Sequence, residues 1–263
     1  MRGYLAILRG SILDALAYRA GFFFTILGNI LYICVAYFLW RSIYENTTSI
    51  HGLTFNEAFL YVALGSTVFV LLKTYADWMI SHEIEDGTIS IYLTKPVDYQ
   101  FYALNISLGF MLTSLAALTI PTFLLLILVF HITFPIGPGL ILFPASLLLA
   151  FLLSFCFDYI TGLFAFYTES IWGISTSKEI LISILAGALV PLQFFPETIQ
   201  KVLLLLPFQA IYYTPLMLIT RPNQDWGTMF SMLGVQIFWV VVLFIVTRLF
   251  YNQAIKVLRV AGG

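Results

Sequence analysis

The sequence predicts an all-α polytopic membrane protein with a single transmembrane domain over residues 1–263, and three observations carry that prediction. Hydrophobic residues make up 61% of the 263 positions and charged residues only 10%, whereas soluble domains carry roughly a quarter charged residues. Uncharged apolar runs of span length recur along the chain, and at about 1.5 Å per helical residue about twenty residues cross a hydrocarbon core of roughly 30 Å. The lysines and arginines gather on one set of alternate loops, as expected if positive charge is retained on the cytoplasmic side.

Residues 1–19 are expected to form a helix lying in the membrane interface. Leu5, Leu8, Ile12 and Leu16 recur near helical spacing, while Gly3, Gly10, Ser11 and Asp14 fall on the opposite side, and Arg2, Arg9 and Arg19 sit within reach of lipid phosphates. Ile7 interrupts the pattern, and an extended start of the first span is the alternative. No cleavable signal peptide is expected, because the first apolar run lacks the short core and small-residue cleavage site of one.

Span one occupies residues 20–40, entered at Gly21, and span two residues 57–77, with Lys73 near one end and able to snorkel to a membrane surface. Residues 99–157 carry no full charge and are interrupted by Pro135, Gly137, Pro138 and Gly139 where a tight reversal falls. They read as spans three and four, residues 101–130 and 140–167. The uncharged run 180–195 reads as span five and residues 226–247 as span six. Between them, the run 202–220 holds Pro207 and Pro215. Each removes a helical hydrogen bond, so residues 191–225 read as a re-entrant or broken outer hairpin.

Charge arbitrates between six and seven spans. With six, Arg2, Arg9, Arg19, Lys73, Lys95, Lys178, Arg248, Lys256 and Arg259 are cytoplasmic, against Arg41, Lys201 and Arg221 outside. With seven, Arg221 moves in while Arg248, Lys256 and Arg259 move out, a far weaker bias. Six spans are favoured, with both termini and residues 80–98 in the cytoplasm.

Those cytoplasmic residues include SHEIEDGTISIYLTKPVD, 81–98. His82, Glu83 and Asp86 resemble a metal cluster at helical spacing, but HEIED has Asp86 where a zincin needs a second histidine, and the other histidines, His51 and His131, are solitary residues of outer loops. A merely solvated loop is the plain alternative. The order within the block argues against it: acids, then a glycine permitting a left-handed turn, then apolar ISIYL, then a terminating Lys95-Pro96. A short exposed helix with an apolar side needs a partner surface.

Glu83 to Val97, E-x-E-D-G-T-I-x-x-Y-L-x-K-P-V, resembles the loop after the second membrane helix in permeases of ABC-2 type ATP-binding-cassette exporters. The interfacial first helix, six spans and proline-rich outer hairpin extend the resemblance along the chain, toward the compact permeases without their own ATPase domain. The resemblance implies that Glu83, Glu85, Asp86, Gly87 and Thr88 form the ATPase-coupling element, with Leu93 and Pro96 shaping its second half. It implies a separate ATPase subunit carrying ATP and Mg with no cofactor on this chain, a second permease chain, the same or related, no nucleic acid, and export at a bacterial plasma (inner) membrane. Independently, the chain contains no Gly-Lys pair, and therefore no P-loop.

Other polar positions are weaker signals. Asp158 is an intramembrane carboxylate, expensive to bury charged, that either lines a polar path or pairs with a neighbouring helix. Asn29, Asn105 and Thr161 are expected as interhelical contacts. Phe194, Phe195, Tyr212 and Tyr213 form an outer gate or, alternatively, a belt of interfacial anchors. Cys34 and Cys156 lie in apolar runs, so no disulfide framework is expected. Asn46-Thr47-Thr48 matches a common glycosylation pattern. A secondary transporter or channel should show repeated halves or several intramembrane ionisable groups, a membrane enzyme a clustered catalytic set, and a purely structural subunit neither.

Overall fold

The computed structural model describes residues 2–17, 19–50, 52–132, 134–188 and 191–257. His51 and Arg259, together with the side chains of Arg2 and Arg19, lie outside the described residues. Helix α1 is Arg2–Ala17, α2 Arg19–Ile43, and a two-residue hairpin pairs β1, Ser49–Ile50, antiparallel with β2, Leu53–Thr54. Then come α3 Phe55–Leu71, α4 Ala76–Glu85, α5 Ile89–Leu93, α6 Tyr99–Ser114, α7 Ile120–Leu128 and α8 Gly139–Leu163. The chain closes with α9 Trp172–Leu185, α10 Glu197–Leu203, α11 Tyr213–Thr220 and α12 Trp226–Ala254.

Among the described residues five helical stretches are long and apolar enough to cross a membrane: Ala20–Ile43, Phe55–Glu85, Tyr99–Leu128, Gly139–Phe166 and Trp226–Val257. Two of them are not the straight helices expected. The second breaks after Leu71, and Tyr75 takes φ 53 before α4 begins. No glycine or proline lies at that break. The third passes through a π turn at Leu115–Thr119, just ahead of Pro121. Proline lacks the N–H for the preceding turn and its ring crowds the carbonyl four residues back, so a wider turn relieves both.

The segment expected as span five is corrected most. Its helix is α9, which starts at Trp172 and stops at Leu185 instead of covering 180–195. Fourteen residues reach only about 21 Å. Gly187, at φ +74, turns the chain, and its carbonyl accepts the Tyr61 hydroxyl at 2.9 Å while the Ala186 carbonyl accepts Tyr213 N–H at 3.1 Å. Backbone groups that a continuing helix would use internally are thus spent on α3 and α11. Residues 191–225 then form 3-10 turns, α10 and α11. Every residue of α11 is buried, between α3, α8 and α12. Pro207 opens a 3-10 turn ahead of α11, whereas Pro215 falls within the first turn of α11, where a missing N–H removes no helical bond.

The bundle has two ends. At the hairpin end Thr54 caps α3 in a reciprocal box with Glu57, Glu57 meets Arg221 at 3.2 Å, and Gly139 N–H donates to the Pro222 carbonyl at 2.9 Å. At the other end, called here the block end, α1 packs on α6. Ser11 lies on the side away from the leucines, as expected, and it is this side that packs: Ser11 is buried and donates to the Ile106 carbonyl at 2.7 Å, while Leu5 and Leu16 face outward. Small residues let the two helices approach closely. A compact apolar cluster at this end joins Ile80 and Ile89 to Tyr99, Tyr102, Phe155, Tyr159 and Tyr251, and it fixes where the 80–98 block sits.

Candidate functional site

The 80–98 block is built as two helices joined by a glycine turn. α4 ends at Glu85, Gly87 takes φ +71, and α5 follows. Ile89 is fully buried and Tyr92 and Leu93 are half-buried against the tyrosine cluster. Glu83 turns inward, where Oε2 accepts the Tyr99 hydroxyl at 2.5 Å and Oε1 the Tyr102 hydroxyl at 3.2 Å. Asp98 caps α6 through Gln100 N–H at 3.0 Å and pairs with Arg248 of α12 at 2.5 Å. The block is therefore anchored on one side to α6, α8 and α12.

The other side is open. Glu85, Asp86, Gly87, Lys95 and Pro96 are exposed, and Ile91 shows 57% of its surface. Thr88 is half-buried, its hydroxyl 3.4 Å from the Glu83 carbonyl. Of the residues predicted for this site, Glu83 and Leu93 hold the block in place, while Glu85, Asp86, Gly87 and Pro96 present it. Ile91, the exposed apolar residue of α5, was missed, because within ISIYL nothing local says which isoleucine turns out. His82 Nδ1 lies 2.8 Å from the Trp78 carbonyl of its own helix. Among the described residues no set of His, Cys, Asp or Glu side chains is arranged for a metal.

Behind the block, at the α3–α4 break, lies a charged cluster that sequence reasoning found only in part. Asp158 of α8 pairs with Lys178 of α9 and accepts the Thr74 hydroxyl at 2.5 Å. Lys178 also donates to Asp77 of α4 at 2.7 Å, and Asp77 accepts the Ser175 hydroxyl at 2.5 Å. At the rim Lys73 pairs with Glu179 at 2.6 Å and lies over the Phe69 ring, 5.2 Å from its centroid. Apart from Thr74, these groups border a cavity of about 90 Å³ that Tyr212 also lines. Such a cavity has room for several waters. Two carboxylates share one ammonium.

Asp158 is thus partnered across helices, to α9 and to the break before α4. Asp77, Lys178, Thr74 and Ser175 were missed, since their pairing spans tens to about a hundred residues of sequence and shows no local period. Asn29 donates to Thr67 at 3.3 Å and Thr122 at 3.2 Å, bridging α2 to α3 and α7. Asn105 and Thr161 differ from expectation. Asn105 donates to the Phe101 carbonyl at 2.7 Å and Thr161 to the Phe157 carbonyl at 2.9 Å, each one turn back in its own helix, where a short polar side chain reaches most cheaply.

The four aromatic residues read as an outer group differ in burial. Phe194 packs edge-on against Trp40 at 5.5 Å and Phe195 is half-buried. Tyr212 and Tyr213 are buried within the bundle, Tyr212 against Phe69 at 5.8 Å and Tyr213 accepting Gln193 Nε2 at 3.2 Å. Tyr212 belongs to the wall of the charged cavity, because α11 enters the core instead of lining a rim.

A family model described as ABC-2 family transporter protein matches residues 30–262. No curated protein matches the chain.

Proposed function

The chain belongs to the ABC-2 transporter family, and from that premise we propose that it is the permease subunit of an ATP-binding-cassette exporter whose ATPase is a separate chain. The observation that carries this reading is the 80–98 block. It is rigidly anchored by Glu83, Ile89 and Asp98, yet presents Glu85, Asp86, Ile91 and Pro96 to the outside at one end of the bundle. In this reading the block end, with both termini, is cytoplasmic, and α9 with residues 191–225 supplies a sixth, broken passage. A second permease chain, identical or related, packs beside the first. α2 and α12 display large apolar side chains such as Phe24, Val35, Phe38, Phe238 and Val241 outward, a surface suited to lipid or to that second chain. The substrate class that fits aromatic and apolar walls is hydrophobic or amphipathic, moved outward at a bacterial plasma membrane.

ATP-driven closure of the ATPase pair shifts the block, and the spans rearrange to open a path. Free energy enters only through contacts that differ between states. The test is purification of the tagged chain in mild detergent, with mass spectrometry and ATPase assay of the eluate, for wild type and for Glu85→Ala and Ile91→Asp. An ATPase recovered with wild type and lost or uncoupled in the variants is the expected result. An intact preparation with no ATPase, or variants that assemble and transport as wild type does, overturns the reading.

One observation favours a second reading. A secondary transporter calls for several intramembrane ionisable groups, and Asp77, Asp158 and Lys178 form such a cluster. Transport by the chain alone in vesicles, driven by an ion gradient without ATP, would select it.

A further inference from the structure

We infer that Lys178 is a positioning residue that joins α4 to α9, so that displacement of the 80–98 block is carried into the short helices of residues 191–220. The inference rests on the coupling reading above. Ser175, Lys178, Glu179 and Ile182 fall at i, i+3, i+4 and i+7, one stripe of α9, and all four border the cavity at the α3–α4 break. Three of them are polar tethers. Ser175 donates to Asp77 at 2.5 Å, Lys178 to Asp77 at 2.7 Å, and Glu179 pairs with Lys73 at 2.6 Å, so α9 grips the chain on both sides of the break. The opposite stripe, Ile180, Leu181 and Ile184, is exposed. At its far end α9 continues into Ala186 and Gly187, whose carbonyls hold Tyr213 and Tyr61. Motion of α4 therefore has a contiguous mechanical route: Asp77, Lys178, α9, then α11.

Two features suit a working joint. The break is made by Tyr75 in the left-handed region at φ 53, without proline or glycine, a conformation held by surrounding contacts and so released when they shift. Lys178 is shared between a carboxylate on α4 and one on α8, so it can stay bonded to Asp77 and draw α9 along as α4 moves, while the adjoining cavity offers water to Asp158.

The experiment uses the complete complex, with Cys34 and Cys156 replaced and spin labels placed in two pairs, His82→Cys with Phe238→Cys and Ile184→Cys with Phe238→Cys. In wild type both distances should change on ATP binding. In Lys178→Met the first should still change and the second should not, and transport per ATP hydrolysed should fall about fivefold to a hundredfold, the span of ordinary coupling energies. Lys178→Arg should restore both. The neutral triple variant Asp77→Asn, Asp158→Asn, Lys178→Met leaves no unpaired charge and answers the question if Lys178→Met alone does not accumulate. The joint is refuted if the α9 pair responds in the triple variant as in wild type, or if transport per ATP is unchanged. If neither pair responds in assembled wild-type complex, the coupling reading falls first and the joint with it.

Discussion

Deleting the shared ammonium tests the charged cluster most directly. Lys178 Nζ lies 2.7 Å from Asp77 Oδ2 and also pairs with Asp158. At that separation and an effective dielectric constant of about 20, each attraction amounts to about 6 kcal/mol before desolvation is subtracted. Lys178→Met removes both attractions and leaves two carboxylates facing one another. Asp77 is only 3% exposed and cannot recover its hydration without a shift of α4. Removing one partner of a buried pair costs about 3–5 kcal/mol. The Ser175 and Thr74 hydroxyls, the Trp78 N–H and the neighbouring cavity remain to solvate the acids, so the expected loss is at the lower end, about 3 kcal/mol. Asp77→Asn keeps the Lys178–Asp158 pair and should cost about 1 kcal/mol, the worth of one ordinary hydrogen bond. The neutral triple variant should return close to wild type, because no charge is left unpaired. Denaturant titration in mixed micelles followed by tryptophan fluorescence, with Trp78 on the cavity wall as a local reporter, ranks the three. If Lys178→Met is as stable as wild type, the two carboxylates are hydrated or protonated in the native state, and the cluster is no electrostatic joint.

Three further outcomes follow from particular contacts. A Cβ on Gly162 would lie 2.9 Å from Ile80 Cβ and 3.0 Å from Asp77 Cα, so Gly162→Ala should lose about 1–3 kcal/mol to overpacking, more than the ~1 kcal/mol gained in helix propensity. Its melting temperature in detergent should fall, and a rise would show that α4 does not ride so closely on α8. Gly87→Ala meets no neighbouring atom but holds φ +71, so the cost of about 1–2 kcal/mol is purely backbone and should appear as faster amide exchange confined to the α4–α5 turn. Asn29→Leu should cost only about 0.6 kcal/mol, the typical worth of a polar contact between membrane helices, because Thr67 and Thr122 keep their bonds to the Ala63 and Leu118 carbonyls; a loss several times larger in the same titration would mean that the bridge holds α2 in place.

Much of the block was legible because its signals are local. Gly87 announced a left-handed turn and takes one, and Lys95-Pro96 announced a stop that falls after Leu93. The face of each side chain was not. Glu83 and Glu85 are two residues apart on one helix, and one turns into the tyrosine cluster while the other is exposed, a choice made by Tyr99 and Tyr102 of α6. The burial of Tyr212 and Tyr213 was not legible for a related reason. Apolar side chains look the same in sequence whether they face lipid, an interface or a packed core, and α11 was drawn into the core.

Hydropathy and loop charge determine from sequence alone that this is a multi-pass membrane protein, since each is a local sum over neighbouring residues. Tertiary structure alone decided that span two breaks at Tyr75. No residue there is a helix breaker. The left-handed tyrosine and the lost helical bonds are offset by Thr74 on Asp158 and by Asp77 on Lys178, contacts between positions far apart in the chain. Within the low-dielectric interior those few charges interact more strongly than any local propensity, so the break, the cavity and the link from α4 to α9 exist only once the helices have packed.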